Sequence, residues 1–182
     1  GNNTITLKVS PMKIHAEIEP VYISGEFSVS SADKGWTLEA PVKTLTAGSW
    51  KEQGLPFYSW GVSYSKEFTA LKTNTPYKVK LNKWNGTIAE VSVNGKWAGV
   101  IAFPPYDLDV TEFITSGTNR IDVRVIGSLK NLMGPHFNDP APGMVGPGHW
   151  RNVKSYPAGK EYQLLDYGLM EDFELLQGKP SV

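Results

Sequence analysis

Apolar and polar residues alternate with a period of two along most of the chain. Ile5, Leu7 and Val9 alternate with Thr4, Thr6 and Lys8. Tyr77, Val79 and Leu81 alternate with Lys78, Lys80 and Asn82, and Ile121, Val123 and Val125 with Arg120, Asp122 and Arg124. A strand with one apolar and one polar face belongs to an antiparallel sheet packed on a single core. The pattern predicts about ten strands, over 4–9, 14–19, 21–30, 36–40, 61–69, 77–82, 88–94, 96–103, 120–127 and 162–176. So many short strands separated by Gly and Pro turns predict an all-β fold, an antiparallel jelly-roll β-sandwich. Strands do not alternate with long helices, which argues against a parallel sheet or an α/β barrel.

Turn chemistry agrees with the strand pattern. Asn94-Gly95 lies between Val93 and Lys96 and predicts a two-residue hairpin, because both positions of a type I′ turn take positive φ. In YDLDVTEFI, Asp109 precedes Glu112 by three residues, a capping-box spacing that predicts one helical turn around Thr111 to Ile114. Gly117 then returns the chain to a strand. The exception to the strand pattern is the irregular insert from about 128 to 160, longer than the roughly 12–15 residues usual for structureless loops in compact domains.

Within that insert, NLMGPHFNDPAPGMVGPGHW (131–150) holds two of the three histidines, four prolines and four glycines. His136 and His149 stand 13 residues apart with Asp139 between them. A zinc site needs three or four ligands in tight geometry, and two histidines in a Pro/Gly-rich loop match it poorly. No G-x-S-x-G or comparable nucleophile signal is present. The plainest reading is a loop stiffened by proline, passing close to neighbouring strands at its glycines, with its histidines in local hydrogen bonds. The competing reading is a loop that faces a sugar or a partner.

Composition narrows the function classes. The chain has 182 residues, enough for one domain, 1–182, that buries roughly 70% of its unfolded surface without a disulfide or a metal. It has no cysteine, which excludes a disulfide framework, thiolate metal ligands and a cysteine nucleophile. Eighteen basic residues balance eighteen acidic ones, and without a basic run neither nucleic acid nor an anionic membrane is an expected partner. No apolar run approaches the ~20 residues of a membrane helix. The chain begins Gly1-Asn2-Asn3 rather than with methionine, so it is expected to be a segment excised from a larger multidomain protein, with Gly1 as a scar.

Five blocks carry a resemblance. They are EPVYISGEFSV (19–29), WKEQGLPFYSWGVSYSKEF (50–68), AEVSVNGKWAGVIAFPPYDLDVTEFITSGTNRIDVRV (89–125), SLKNLMGPH (128–136) and VGPGHW (145–150). In this order they resemble the galactose-binding-like β-sandwich of large bacterial glycoside hydrolases. The nearest types are family 2 sugar-binding domains and the terminal modules of α-L-rhamnosidase-like enzymes. The V-N-G-K-x-A-G hairpin followed by P-P-Y-x-x-D-V-T is the most specific part. The resemblance implies a non-catalytic role, since the catalytic carboxylates of such enzymes sit on a separate domain. It also implies a periplasmic or extracellular setting. The expected partners are a glycan or the catalytic domain of the parent enzyme. The resemblance further allows a structural calcium ion, for which no ligands can be named, and no other cofactor is expected.

Three functions remain to be distinguished. A binding module requires an exposed aromatic beside polar groups. A pyranose lays its C–H face on an aromatic plane and offers hydroxyls to the rim, and the candidates are Trp60, Trp84, His136, His149 and Trp150. Each buried aromatic also removes some 150–250 Å² from water, so Tyr64 and Phe68, which follow the strand alternation, are core positions. A purely structural interdomain module requires a broad apolar patch. A standalone glycoside hydrolase requires two carboxylates, roughly 5 Å apart for retention or 6.5–9.5 Å for inversion. Asp107 and Asp109 instead suit turn and cap duties, and Glu171, Asp172 and Glu174 the solvent side of a terminal strand.

Overall fold

The computed structural model describes residues 4–16, 21–71, 75–137, 146 and 157–178. These residues form an all-β antiparallel sandwich, the class the alternation predicts. Eleven strands are present among them: β1 (Ser28–Ser31), β2 (Trp36–Glu39), β3 (Gly61–Ala70), β4 (Tyr77–Lys80), β5 (Trp84–Asn85), β6 (Ile88–Val93), β7 (Lys96–Ile101), β8 (Asp107–Asp109), β9 (Gly117–Ile126), β10 (Gly168–Leu169) and β11 (Glu174–Gln177). One sheet has the order β3-β9-β6-β7, and the facing sheet the order β11-β4-β8. Two small ribbons, β1-β2 and β10-β5, complete the fold.

The core lies between the two larger sheets. Tyr64, Val91, Ile121, Val123 and Val125 point into it from one side, and Tyr77 and Val79 from the other. Trp50, Tyr167, Leu169 and Phe173 close it at the end. The opposite face of the four-stranded sheet is polar. There Arg120 pairs with Asp122 at 2.9 Å and Arg124 with Glu90 at 3.3 Å. This is the inside–outside division that a period of two imposes on a sheet with one buried face.

The predicted turns form. Asn94 and Gly95 have φ of 53° and 76° and join β6 to β7. A single 3-10 turn spans Thr111–Phe113. Asp109 holds it by accepting hydrogen bonds from the Thr111 amide (2.9 Å) and hydroxyl (2.6 Å), a shorter reach than the capping box with Glu112 that its spacing suggests. Gly117, at φ 96°, opens β9.

Two expectations need correction. Residues 4–9 form no strand, and Ile5, Leu7 and Val9 are 71%, 70% and 62% exposed. The described part of 14–19 is likewise not a strand, and of 21–30 only the end joins β1. Alternation makes a segment able to join a sheet, but a strand forms only where an edge is available to pair with it. The stretch 162–176, read as one strand, is divided into β10 and β11. The break falls at 170–173, where the Met170 and Glu171 amides both donate to the Lys83 carbonyl. Gly168 opens β10 at φ 124°, and its missing Cβ leaves room for Trp50.

Candidate functional site

An open cleft of about 500 Å³ lies at the end of the sandwich where β5 meets β10. Trp84, Asn85, Gly86 and Thr87 form its base, Ala102 and Tyr106 one wall, and Leu165, Asp166 and Tyr167 the other. Trp84 is half-buried, and its ring meets Tyr106 edge to face at 5.6 Å and 88°, a favoured aromatic geometry. Gly86 permits this arrangement. A Cβ there would stand 2.7 Å from Val125 Cγ1 and 3.2 Å from the Trp84 ring.

Each wall has its own support. Tyr106 adopts φ 51°, a left-handed conformation rare for a bulky residue. Its carbonyl accepts from the Leu81 amide at 3.0 Å and its amide donates to the Phe103 carbonyl at 3.1 Å, and together they hold it there. The opposite wall is anchored on Trp50, whose amide donates to Tyr167 O (2.9 Å) while the Gly48 amide donates to Leu169 O (2.6 Å). The Trp50 indole Nε1 donates to the Tyr64 hydroxyl at 2.8 Å, beneath both. Asn131, buried on the short helix α1 (Lys130–Met133), grips the wall from behind through the backbone of Leu165.

Asp166 supplies the cleft's charge. Burial pushes its carboxyl up, but the neighbouring Ser49 hydroxyl and the Lys51 ammonium, 3.2 Å from Oδ1, outweigh this and hold it below the ordinary carboxylate range. The carboxylate is therefore ionised at neutral pH, and its side chain remains 46% exposed. Asn85 is exposed beside it and offers both donor and acceptor groups. The cleft thus combines an apolar aromatic edge with a carboxylate and an amide, a set suited to a ligand with C–H faces and hydroxyls.

The three candidates that lie among the described residues do not converge. Trp84 lines the cleft. Trp60 stands 66% exposed on the polar sheet face, with the Arg124 guanidinium 5.5 Å from its ring centroid. His136 lies in an aromatic cluster, stacked on Tyr162 at 5.4 Å and edge to face with Phe57 at 5.3 Å. Its Nε2 lies 2.7 Å from the Asn131 carbonyl and donates to it. Burial chiefly keeps this ring below its usual pKa. His149 and Trp150 lie outside the described residues. Asp166, Tyr106 and Asn131 escaped sequence reading. Their one signal was the composition of P-P-Y beside Tyr106, which marks a turn rather than a shared site.

A second cavity of about 470 Å³ is lined by Thr46, Ser65, Lys66, Asp172 and Phe173 among others. Its charged groups satisfy one another. Lys66 Nζ donates to Phe173 O at 2.8 Å and pairs with Asp172 at 3.3 Å. Among the described residues no three His, Asp or Glu side chains gather at one point. A calcium site within them would therefore rest on backbone carbonyls with at most two carboxylates. No helix among these residues is long and apolar enough to cross a membrane.

The architecture defines a β-sandwich module with an open, aromatic-edged cleft at one end. No protein-family model matches the chain. It is 28% identical over 133 residues, 69% of its own length, to a putative beta-glucuronidase of Formosa agariphila. That stretch is 11% of the Formosa protein, so the chain spans a small part of its relative. Among solved structures it resembles a rhamnosidase from Novosphingobium sp. PP1Y (22% identity, TM-score 0.49, 90% of this chain and 16% of that one). It also resembles a Bifidobacterium dentium beta-glucuronidase (18% identity, TM-score 0.48, 85% of this chain and 29% of that one). By sequence the chain is similar to part of a putative beta-glucuronidase, in line with the resemblance that the five sequence blocks carry.

Proposed function

We propose that this chain is a non-catalytic, carbohydrate-associated module of a bacterial glycoside hydrolase, acting beside the catalytic domain in the periplasm or outside the cell. Its role is weak contact with glycan through the cleft at Trp84 and Tyr106. The observation that carries this reading is the pairing of that aromatic edge with the exposed Asp166 and Asn85 side chains in one open cleft. Two further points support it. The similarity to the Formosa protein covers 11% of that protein, the proportion of a module rather than of an enzyme. The cleft lining offers one carboxylate, already engaged by Lys51, whereas glycoside hydrolysis draws on two.

Titration of the protein with a panel of plant and host glycans, followed by NMR, tests the reading. Millimolar binding with shifts around Trp84 is expected, and silence across the panel would end it. An aryl-glycoside turnover assay on the same sample should give no activity.

One observation favours a bracing role as a second reading. Trp97 (66% exposed) and Val100 (40%) share the outer side of edge strand β7, and Phe103 (82%) follows in the next turn. Trp97→Ser with Phe103→Ser should lower the melting temperature of the parent enzyme while leaving that of the module alone unchanged.

A further inference from the structure

We infer that the Trp84 cleft accepts a neutral pyranose and rejects acidic sugars, with the Asp166 carboxylate as the selecting group. The inference rests on the glycan-contact reading above and adds to it the class of sugar.

Among the described residues, Asp166 is the one charged residue of the cleft lining, and Lys51 is not part of that lining. The ammonium lies 3.2 Å from Asp166 Oδ1 and 3.4 Å from the Leu164 carbonyl, and is the less exposed partner, 26% against 46%. A ligand entering the cleft therefore meets the carboxylate first. A sugar hydroxyl can donate to that carboxylate, a charge-assisted bond of the stronger kind. A sugar carboxylate in the same place meets like charge, offset only in part by the Lys51 ammonium on Oδ1, with no cation among the described lining residues. Asn85 can donate to or accept from a second hydroxyl but supplies no charge. The charge on Asp166 persists into acidic solution, because Ser49 and Lys51 hold its carboxyl below the ordinary range.

The platform is rigid enough to discriminate. Tyr106 is held at φ 51° by two backbone hydrogen bonds and is packed against Trp84. Asp166 sits between Leu165, gripped by Asn131, and Tyr167, whose carbonyl accepts the Trp50 amide. Such a site orients a ring before it arrives, which is how a few polar groups confer specificity.

The test uses matched methyl glycosides, galactoside against galacturonide and glucoside against glucuronide, so that each pair differs only at C6. Amide and indole shifts are followed by NMR titration. The neutral member of at least one pair should perturb the Trp84 indole at millimolar concentration, with the acid about tenfold weaker, the scale of one like-charge contact in a solvent-open site. Trp84→Ala should abolish the neutral response. Asp166→Asn removes the repelling charge and frees the Lys51 ammonium, so the acidic sugar should gain at least about as much as it had lost. Lys51→Met keeps Asp166 and should leave neutral binding in place with acid still excluded, which provides a second variant should Asp166→Asn fail to fold. Equal or tighter binding of the acid at Trp84 would overturn the selectivity while leaving glycan contact standing. Binding that survives Trp84→Ala would overturn the location, and silence from all four sugars would overturn both readings.

Discussion

Asn131 and Leu165 exchange two hydrogen bonds. Asn131 Nδ2 donates to the Leu165 carbonyl and its Oδ1 accepts from the Leu165 amide, each at 2.8 Å. The same Nδ2 donates to Pro56 O at 3.0 Å, and the residue is 2% exposed. One buried amide therefore joins three stretches of chain, including one wall of the cleft.

Asn131→Ala would leave the Pro56 carbonyl and both Leu165 backbone groups without their partner. A buried polar group without a partner costs about 1–3 kcal/mol, so a loss of about 2–4 kcal/mol is expected in urea unfolding. Amide exchange should speed up over 164–168 more than over β9. An unchanged exchange pattern would show that the wall does not depend on this residue.

Tyr64 is the acceptor beneath the same wall, taking hydrogen bonds from Trp50 Nε1 at 2.8 Å and from the Leu169 amide at 3.3 Å. Tyr64→Phe keeps the ring and removes the acceptor, leaving two buried donors. Destabilisation of about 1–3 kcal/mol is expected by chemical denaturation, with a blue shift in Trp50 fluorescence as its indole loses a polar partner.

His136 should make stability depend on pH. Its pKa in the folded protein lies below the ordinary 6.5, chiefly through burial. As pH falls below about 6.5, the unfolded chain takes up a proton that the folded ring resists, so stability drops. The contribution is fully present above that pH and is lost on the way down through the folded value. Because the ring is only half-buried, the slope should be shallower than the roughly 1.4 kcal/mol per pH unit of a full proton. Comparing urea midpoints at neutral and mildly acidic pH, with His136→Gln as the control, measures it. A variant with the same slope as the wild type would assign the dependence elsewhere.

Two glycines separate conformational cost from steric cost. Gly95 has φ 76° with nothing within 4 Å of an added Cβ, while Gly168 has φ 124° and its Cβ would meet Trp50 Nε1 at 2.6 Å and Gly48 O at 2.8 Å. Gly95→Ala should therefore cost about 1 kcal/mol, from the backbone alone. Gly168→Ala should cost at least about 2–3 kcal/mol, since displacement of packed groups adds to it. Equal melting-temperature shifts for the two would refute the steric argument.

Much of this architecture was legible from local pattern. The strands β3, β4, β6, β7 and β9, the Asn94-Gly95 hairpin and the core positions Tyr64, Val123 and Val125 follow from alternation and turn chemistry. These are properties of residues close in the chain, imposed by the pleat and by φ. Pattern misled at Ile5, Leu7 and Val9, where apolar alternation meets no partner edge. It also joined β10 to β11, because nothing local in 162–176 reveals that the Met170 and Glu171 amides turn onto one distant carbonyl, that of Lys83.

The sequence by itself determined the fold class, the outward polar face of β9, and the similarity to part of a putative beta-glucuronidase. Only the tertiary structure decided the cleft. Trp84, Tyr106 and Asp166 come from three separate stretches, and their meeting depends on Gly86, Asn131 and Trp50 packing the chain ends of the sandwich together. Alternation reports which face of a strand is buried. It carries no information about which loops share an end of the sandwich, because that is set by sheet topology and by contacts between residues distant in the chain.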